Sequence, residues 1–151
     1  MIQASVALTQ PAGTGRQFVT TTGSGHHLIL DDAVGATGPK PIELVAAALA
    51  GCTAFDVINI LRKKRQNITA YEVHLEADQA SEAPQIFTQV RIRHIVTGTD
   101  VDREAVAAAI HLSESKYCSV GAMIRKTAEF STSFEIIPAQ VADLVAAGVR
   151  G

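Results

Sequence analysis

The residues with the strongest potential for chemistry are two cysteines, Cys52 and Cys118, which lie 66 residues apart in a chain of 151. A thiolate is a nucleophile and a redox group, so two cysteines that meet in a fold can cycle between dithiol and disulfide. Neither has the Cys-x-x-Cys or cysteine–histidine spacing of a metal site, and we expect no metal and no other cofactor. The alternative is packing, because free cysteine is among the most buried residue types.

Cys52 lies in a stretch that predicts one long helix from Pro39 to Arg65. Pro41 suits the first helical position, and Glu43 falls in the first turn, where the helix dipole favours a carboxylate. From Leu44 to Gly51 every residue is apolar or glycine, which predicts that this half is buried on all sides. An apolar surround raises the pKa of a thiol, so Cys52 would need a cation brought from elsewhere to react.

The second half of this helix has a one-sided pattern, which predicts that it emerges from the core. Apolar residues, Phe55 among them, alternate with Asp56, Asn59 and Arg62 at helical spacing. Asp56 lies four residues after Cys52 and so shares its face of the helix. Because a carboxylate there would disfavour a thiolate, we expect Asp56 to be paired elsewhere.

Cys118 follows a predicted helix from Arg103 to Lys116 and precedes a short one from Val120 to Lys126. At the start of a helix, backbone N–H groups and the dipole favour a thiolate. The flanking Glu114 and Lys116 are expected to be solvated. Cys118 is therefore either a reactive thiol or a buried packing residue, and the local pattern leaves both open.

The remaining segments predict an α+β fold with largely antiparallel sheet, because strands and helices do not alternate as βαβ units. The length suits a single domain spanning residues 1–151. Alternation and turn residues predict a meander, a hairpin, a last strand and a C-terminal helix. These segments are Ile2–Thr9, Phe18–Thr22 and His26–Leu30, then Ile68–Ala77 and Ile86–Thr97, then Phe130–Ile137, and finally Ala139–Val149.

The composition argues against several classes of partner. A net charge of −2 gives no basic surface for nucleic acid. No run of 18 apolar residues and no secretory signal is evident, so we expect neither a membrane span nor export. We therefore predict a cytoplasmic protein, in which two cysteines are free thiols or part of a redox cycle.

Two segments together resemble the OsmC/Ohr family, the osmotically inducible and organic-hydroperoxide-resistance proteins. The first is the Pro-x-Glu-Leu helix that runs from Pro41 to Ala-Gly-Cys52, and the second is Lys-Tyr-Cys-Ser around Cys118. The segment from Leu112 to Ser119 is similar to the Leu-Ser-x-x-Lys-Tyr-Cys-Ser pattern of a less characterised branch. The order of predicted strands is similar to that family over nearly the whole chain.

The resemblance implies an OsmC-like fold that forms an intertwined homodimer with a long buried central helix and two active sites at the subunit interface. Cys52 would attack a peroxide oxygen, become a sulfenic acid and condense with Cys118 to a disulfide, which a cellular dithiol reduces. The implied substrates are organic hydroperoxides, with hydrogen peroxide as a further candidate.

The chain departs from the family at the residues that activate the thiolate. In the well-studied hydroperoxide reductases these are an Arg of the N-terminal hairpin and a Glu ten residues before the first cysteine. Here that position is Ile42, and the nearest carboxylate is Glu43, half a helical turn out of phase with Cys52. Glu43 is thus a candidate catalytic carboxylate or a helix-terminal residue, and Arg16 is a candidate cation or a solvated turn residue.

We consider two alternative functions for this chain. The first is a thiol-dependent peroxidase that uses Cys52 and Cys118. The second is a non-catalytic dimer of the same fold that binds an apolar small molecule at the subunit interface, with both cysteines passive.

Overall fold

The computed structural model describes residues 1–9 and 15–139, so most of the predicted turn at 10–15 and of the predicted helix Ala139–Val149 lies outside it. The chain divides into two compact units, Met1–Val45 and Ala46–Gly151. The elements in order are β1 (Ala4–Leu8), β2 (Phe18–Thr22), β3 (His27–Leu30), α1 (Pro41–Lys63), β4 (Asn67–Gln79), β5 (Phe87–Thr99), α2 (Arg103–Leu112), a π-helical turn (Ser113–Tyr117), α3 (Ser119–Ile124) and β6 (Glu129–Pro138).

The first unit contains the predicted antiparallel meander. β1 pairs with β2, and β2 pairs with β3, all antiparallel. Every residue of β1 is exposed to solvent, so the apolar–polar alternation that predicted this strand does not mark a buried face. Side chains alternate between the two faces of any strand, and an inside face exists only where a second layer covers it.

The second unit contains a three-stranded sheet in the order β4-β5-β6. The predicted hairpin of β4 and β5 is antiparallel, and the inner face of β5 is buried at Val90, Ile92, His94 and Val96. β6 runs parallel to β5, whereas the other three pairings of the described strands are antiparallel, so the largely antiparallel architecture that we predicted is confirmed. The chain between these strands passes through α2, the π-helical turn and α3, the long crossover that a parallel pair requires.

The core of this unit joins α1, the sheet and α2. Val57 and Leu61 of α1 are fully buried beside Val96 of β5, and they pack with Ala105, Val106, Ala109 and Ile110 of α2. On α2 these four residues follow helical spacing and so form one apolar face. The core therefore holds α2 in place. Ser113, directly after α2, and Cys118, at the start of α3, follow from this anchored helix.

α1 buries one face rather than its whole circumference. Its buried residues are Leu49, Thr53, Val57 and Leu61, at intervals of four. Ala47 and Ala48 are exposed, so the prediction of burial on all sides is wrong. Phe55, expected on the packed side, has 79% of its surface exposed. A run of alanines contains no polar residue and therefore cannot indicate which side of a helix is covered.

α1 is also long and apolar enough to cross a membrane, by length and composition alone, with a mean hydropathy of 1.9 in its most apolar window. The central helix of a folded domain meets the same criterion. Because Leu49, Val57 and Leu61 of α1 are buried within the protein, we interpret it as a core helix.

Candidate functional site

Cys52 lies in the middle of α1 and is half-buried. Helix geometry places Asp56, four residues later, on the same face. Thr53, the next residue, belongs to the buried stripe of the helix and is only 2% exposed. This part of α1 thus presents a thiol, a hydroxyl and a carboxylate within little more than one turn.

Cys118 is positioned by the π-helical turn that follows α2. The Cys118 backbone N–H donates to the Ser113 carbonyl oxygen at 2.9 Å, a bond across five residues that defines this turn. Cys118 then caps α3, and its Sγ accepts from the Gly121 N–H at 3.3 Å. A Cβ at Gly121 would lie only 3.2 Å from that sulfur, so glycine permits the close approach.

The two cysteines meet in the fold. The sulfur atoms of Cys52 and Cys118 and a carboxylate oxygen of Asp56 all lie within 4.8 Å of one another. A disulfide has an S–S length of about 2.05 Å, so modest movement would close the bond. The catalytic roles assigned to the two thiols stay predictions, but the proximity that those roles require is present.

Asp56 is paired with a group other than the thiols, as expected, but it stays close to both sulfurs. The Ser113 hydroxyl donates to Asp56 Oδ2 at 3.0 Å and lies 3.2 Å from Thr53 Oγ1. Ser113 is fully buried, so these contacts hold the carboxylate within reach of both sulfurs. Serine hydroxyls in such a position satisfy a polar group that would otherwise be costly to bury.

Burial decides the state of the Cys118 thiol. It raises the pKa of Cys118 to about 11, with further contributions from the neighbouring Cys52 thiol and the charge of Asp56, and the Gly121 N–H opposes this only in part. The expectation that the start of a helix would favour a thiolate here is therefore wrong. Desolvation outweighs the hydrogen bond because the thiol is buried and the capped helix is short.

Glu114, expected in solvent, is instead a half-buried member of an ion pair. Arg125 Nη2 lies 3.3 Å from Glu114 Oε1, and the Thr132 hydroxyl donates to the same oxygen. The guanidinium of Arg125 also lies 3.9 Å from the centre of the Phe130 ring. These contacts anchor Arg125 and Glu114 to β6 and to the end of α3.

A small cavity separates this ion pair from Cys118. Its volume is about 10 Å3, which is the space that one water molecule needs. An organic hydroperoxide does not fit in it. The lining residues are Leu49, Thr53, Ile92, Glu114, Cys118, Gly121, Arg125 and Phe130.

The other two candidate residues, Arg16 and Glu43, have partners within the first unit. Arg16 Nε donates to Asp32 Oδ2 at 2.9 Å, and backbone N–H bonds together with this contact hold the pKa of Asp32 below its usual value. Glu43 Oε2 accepts from the Lys40 N–H at 2.7 Å, so it caps the start of α1. Their assignment to catalysis stays a prediction.

The cluster also offers ligands to a metal ion. Cys52, Asp56 and Cys118 supply three ligand atoms, whereas a closed structural zinc site takes four. The expectation of no metal stays a prediction.

Sequence reasoning missed Ser113 and Arg125. Ser113 is the serine of the Leu-Ser-x-x-Lys-Tyr-Cys-Ser segment, so a signal existed, but nothing in the sequence linked it to Asp56, 57 residues away. Arg125 gives no signal in the sequence, because only the fold brings it to the cavity.

Comparison with known proteins assigns the chain to a family. Residues 34–133 match the family model of OsmC-like proteins. The chain belongs to the OsmC-like family. This OsmC-like protein is 41% identical to Protein YhfA of Escherichia coli K12 over 125 residues, which covers 83% of this chain and 93% of YhfA.

Solved structures share the fold. A hypothetical protein of Aquifex aeolicus VF5 aligns with a TM-score of 0.80 at 26% identity, covering 91% of this chain and 97% of that one. The organic hydroperoxide resistance protein OhrB of Bacillus subtilis aligns with a TM-score of 0.58 at 19% identity, covering 89% and 98%. These likenesses confirm the OsmC-like α+β fold that the resemblance implied.

Proposed function

We propose that this OsmC-like protein is a thiol-dependent peroxidase that reduces organic hydroperoxides. The observation that carries the proposal is the meeting of Cys52 and Cys118, from α1 and the start of α3, with sulfurs within 4.8 Å. Two thiols at this distance can form a disulfide, and the family includes proteins named for organic hydroperoxide resistance.

Cys52 is the thiol that meets the peroxide, because it is half-buried whereas Cys118 is buried. Its thiolate attacks the terminal peroxide oxygen, the O–O bond breaks, and the alkoxide leaves as an alcohol after taking a proton. Cys52 becomes a sulfenic acid. Cys118 then attacks the Cys52 sulfur, water leaves, and a cellular dithiol reduces the disulfide by exchange.

The decisive experiment is a stopped-flow measurement of thiol loss after an alkyl hydroperoxide is added. We expect the wild type to react at neutral pH faster than free cysteine, and Cys52→Ser to lose this reaction completely. Loss no faster than free cysteine would contradict the peroxidase and favour the non-catalytic dimer that binds an apolar small molecule.

We also propose a cytoplasmic homodimer. A reducing compartment keeps both cysteines free and supplies the dithiol. Phe55, 79% exposed, borders an apolar groove of about 350 Å3, a feature typical of a contact surface. The groove is lined by Ala54, Phe55, Ile58, Arg62, Ile68, Thr69, Ala70 and Tyr71.

Phe55→Ser should therefore weaken the dimer, with a dissociation constant at least roughly tenfold higher because an aromatic anchor that the dimer would bury is lost. Sedimentation velocity across a dilution series measures it. Met123→Ser is the matched control, since Met123 is 63% exposed and lies away from the groove. Equal dissociation of both variants and wild type would contradict a contact through Phe55.

A further inference from the structure

Asp56 is a carboxylate that faces the two thiols and has no evident part in the oxidation of Cys52. Its oxygen lies within 4.8 Å of both sulfurs. A negative charge in this position disfavours the Cys118 thiolate. Asp56 therefore does not promote disulfide formation through a preformed Cys118 thiolate.

The position of Asp56 is fixed by the same residue that positions Cys118. The fully buried Ser113 donates its hydroxyl hydrogen bond to Asp56 Oδ2 at 3.0 Å. Its carbonyl oxygen accepts from the Cys118 N–H at 2.9 Å. Ser113 thus holds both the Asp56 carboxylate and Cys118 in place.

Disulfide formation needs a proton to move between these groups. Cys118 must lose its thiol proton to attack, and the hydroxyl of the Cys52 sulfenic acid must gain one to leave as water. Burial and neighbouring acidic groups keep Cys118 protonated near neutral pH. A base within 4.8 Å of both sulfurs can serve both ends of this transfer through one water molecule or after a small side-chain movement.

We propose that Asp56 carries this proton, as the general base for Cys118 and then the general acid for the leaving hydroxyl. The inference rests on the proposed peroxidase function. The Asp56 carboxylate takes the Cys118 proton as the new S–S bond forms, and it gives that proton to the oxygen as the S–O bond breaks. One disulfide and one water result, and Asp56 returns to its carboxylate form.

Glu114 and Arg125 are the charged groups that line the cavity beside Cys118. The Glu114 Oε1 oxygen already accepts from Arg125 and from the Thr132 hydroxyl. A carboxylate engaged by a guanidinium and a hydroxyl is a poorer base than one held by a single serine. Asp56 is thus the better placed of the two carboxylates.

Asp56→Asn tests the inference, because the amide can keep the Ser113 hydrogen bond but cannot accept the proton. We expect Cys52 to be oxidised by an alkyl hydroperoxide at least as fast as in the wild type. Disulfide formation should become about 100-fold slower at pH 7, within the range of general acid–base catalysis. Sulfenic acid should then accumulate and be captured by dimedone, as mass spectrometry would record.

The pH profile separates proton transfer from a merely structural effect. In Asp56→Asn the rate of disulfide formation should rise about tenfold per pH unit towards the pKa of Cys118, since only the preformed thiolate attacks. The wild-type rate should vary much less between pH 6 and 8. Asp56→Glu should recover part of the rate, because it restores the carboxylate.

A peroxide-free reaction keeps the outcome independent of the proposed function. Ellman's reagent forms a mixed disulfide on the more accessible Cys52, and attack by Cys118 releases the thionitrobenzoate, which is followed by absorbance. Asp56→Asn should slow that release about 100-fold as well, because Cys118 still needs a base. Release at the wild-type rate would overturn the role of Asp56, whatever the reaction with peroxide shows.

Discussion

Cys118→Ser should leave a protein that still reacts with an alkyl hydroperoxide but cannot form the disulfide, so that its turnover slows sharply. Cys52 is still oxidised, but no thiol remains within 4.8 Å to convert its sulfenic acid to a disulfide. We expect one thiol lost per peroxide instead of two, and turnover with a dithiol reductant lower by at least about tenfold. Quantifying thiols after one equivalent of peroxide gives the stoichiometry, and excess peroxide should carry Cys52 on to sulfinic acid.

The substitution preserves the local structure, which makes the result interpretable. A serine hydroxyl can accept from the Gly121 N–H as the Cys118 sulfur does, and serine is a favoured residue at the start of a helix. Two thiols lost per peroxide in Cys118→Ser would assign the second thiol elsewhere and contradict the disulfide cycle. An unchanged unfolding midpoint would confirm that the fold survives.

His94 should make the protein less stable as the pH falls from neutral to 5. It is fully buried on β5, its Nδ1 lies 2.7 Å from the Tyr71 hydroxyl, and its Nε2 has no hydrogen-bond partner in the described part of the chain. Burial lowers the pKa of His94 to about 4, although the charge of Glu114 opposes this. The folded state therefore binds fewer protons than the unfolded state between pH 6.5 and 4, and stability is lost across that window.

Between pH 7 and 5 the loss from this one residue amounts to about 2 kcal/mol. Urea unfolding at both pH values measures it, and His94→Gln is the comparison because glutamine is polar but does not titrate. The drop in unfolding free energy should be smaller by that amount in His94→Gln, whatever the variant's stability at pH 7. Equal drops would mean that His94 can be protonated in the folded protein.

Much of the secondary structure could be predicted because short-range sequence patterns determine it. The apolar alternation of β5 identified its buried face, and the start and end signals placed α1 to within two residues at each end. The covered side of α1 could not be predicted, because a stretch of alanine and glycine has no periodic contrast. The parallel pairing of β6 depends on how α2 and α3 cross the sheet, which no local pattern records.

The residues of the candidate site also divide into those that the sequence could predict and those that only the fold brings together. The resemblance to a family picked out Cys52 and Cys118, but the sequence alone gave no reason for them to meet. The convergence of Asp56 and Ser113 joins residues 57 positions apart and depends on α1 packing beside the end of α2. Glu114 was expected in solvent because a glutamate beside a turn usually is, and only the fold supplies Arg125 as its partner.

The π-helical turn determines the direction in which the residues directly after it face. A π-helical turn contains one residue more than the α-helical turn it replaces, and each residue of an α-helix rotates the chain by about 100°. That extra residue lies between Ser113 and Cys118, so it acts as an insertion that turns the second thiol towards the first. A homologue that lacked it would keep both cysteines in its sequence and lose the pair in space.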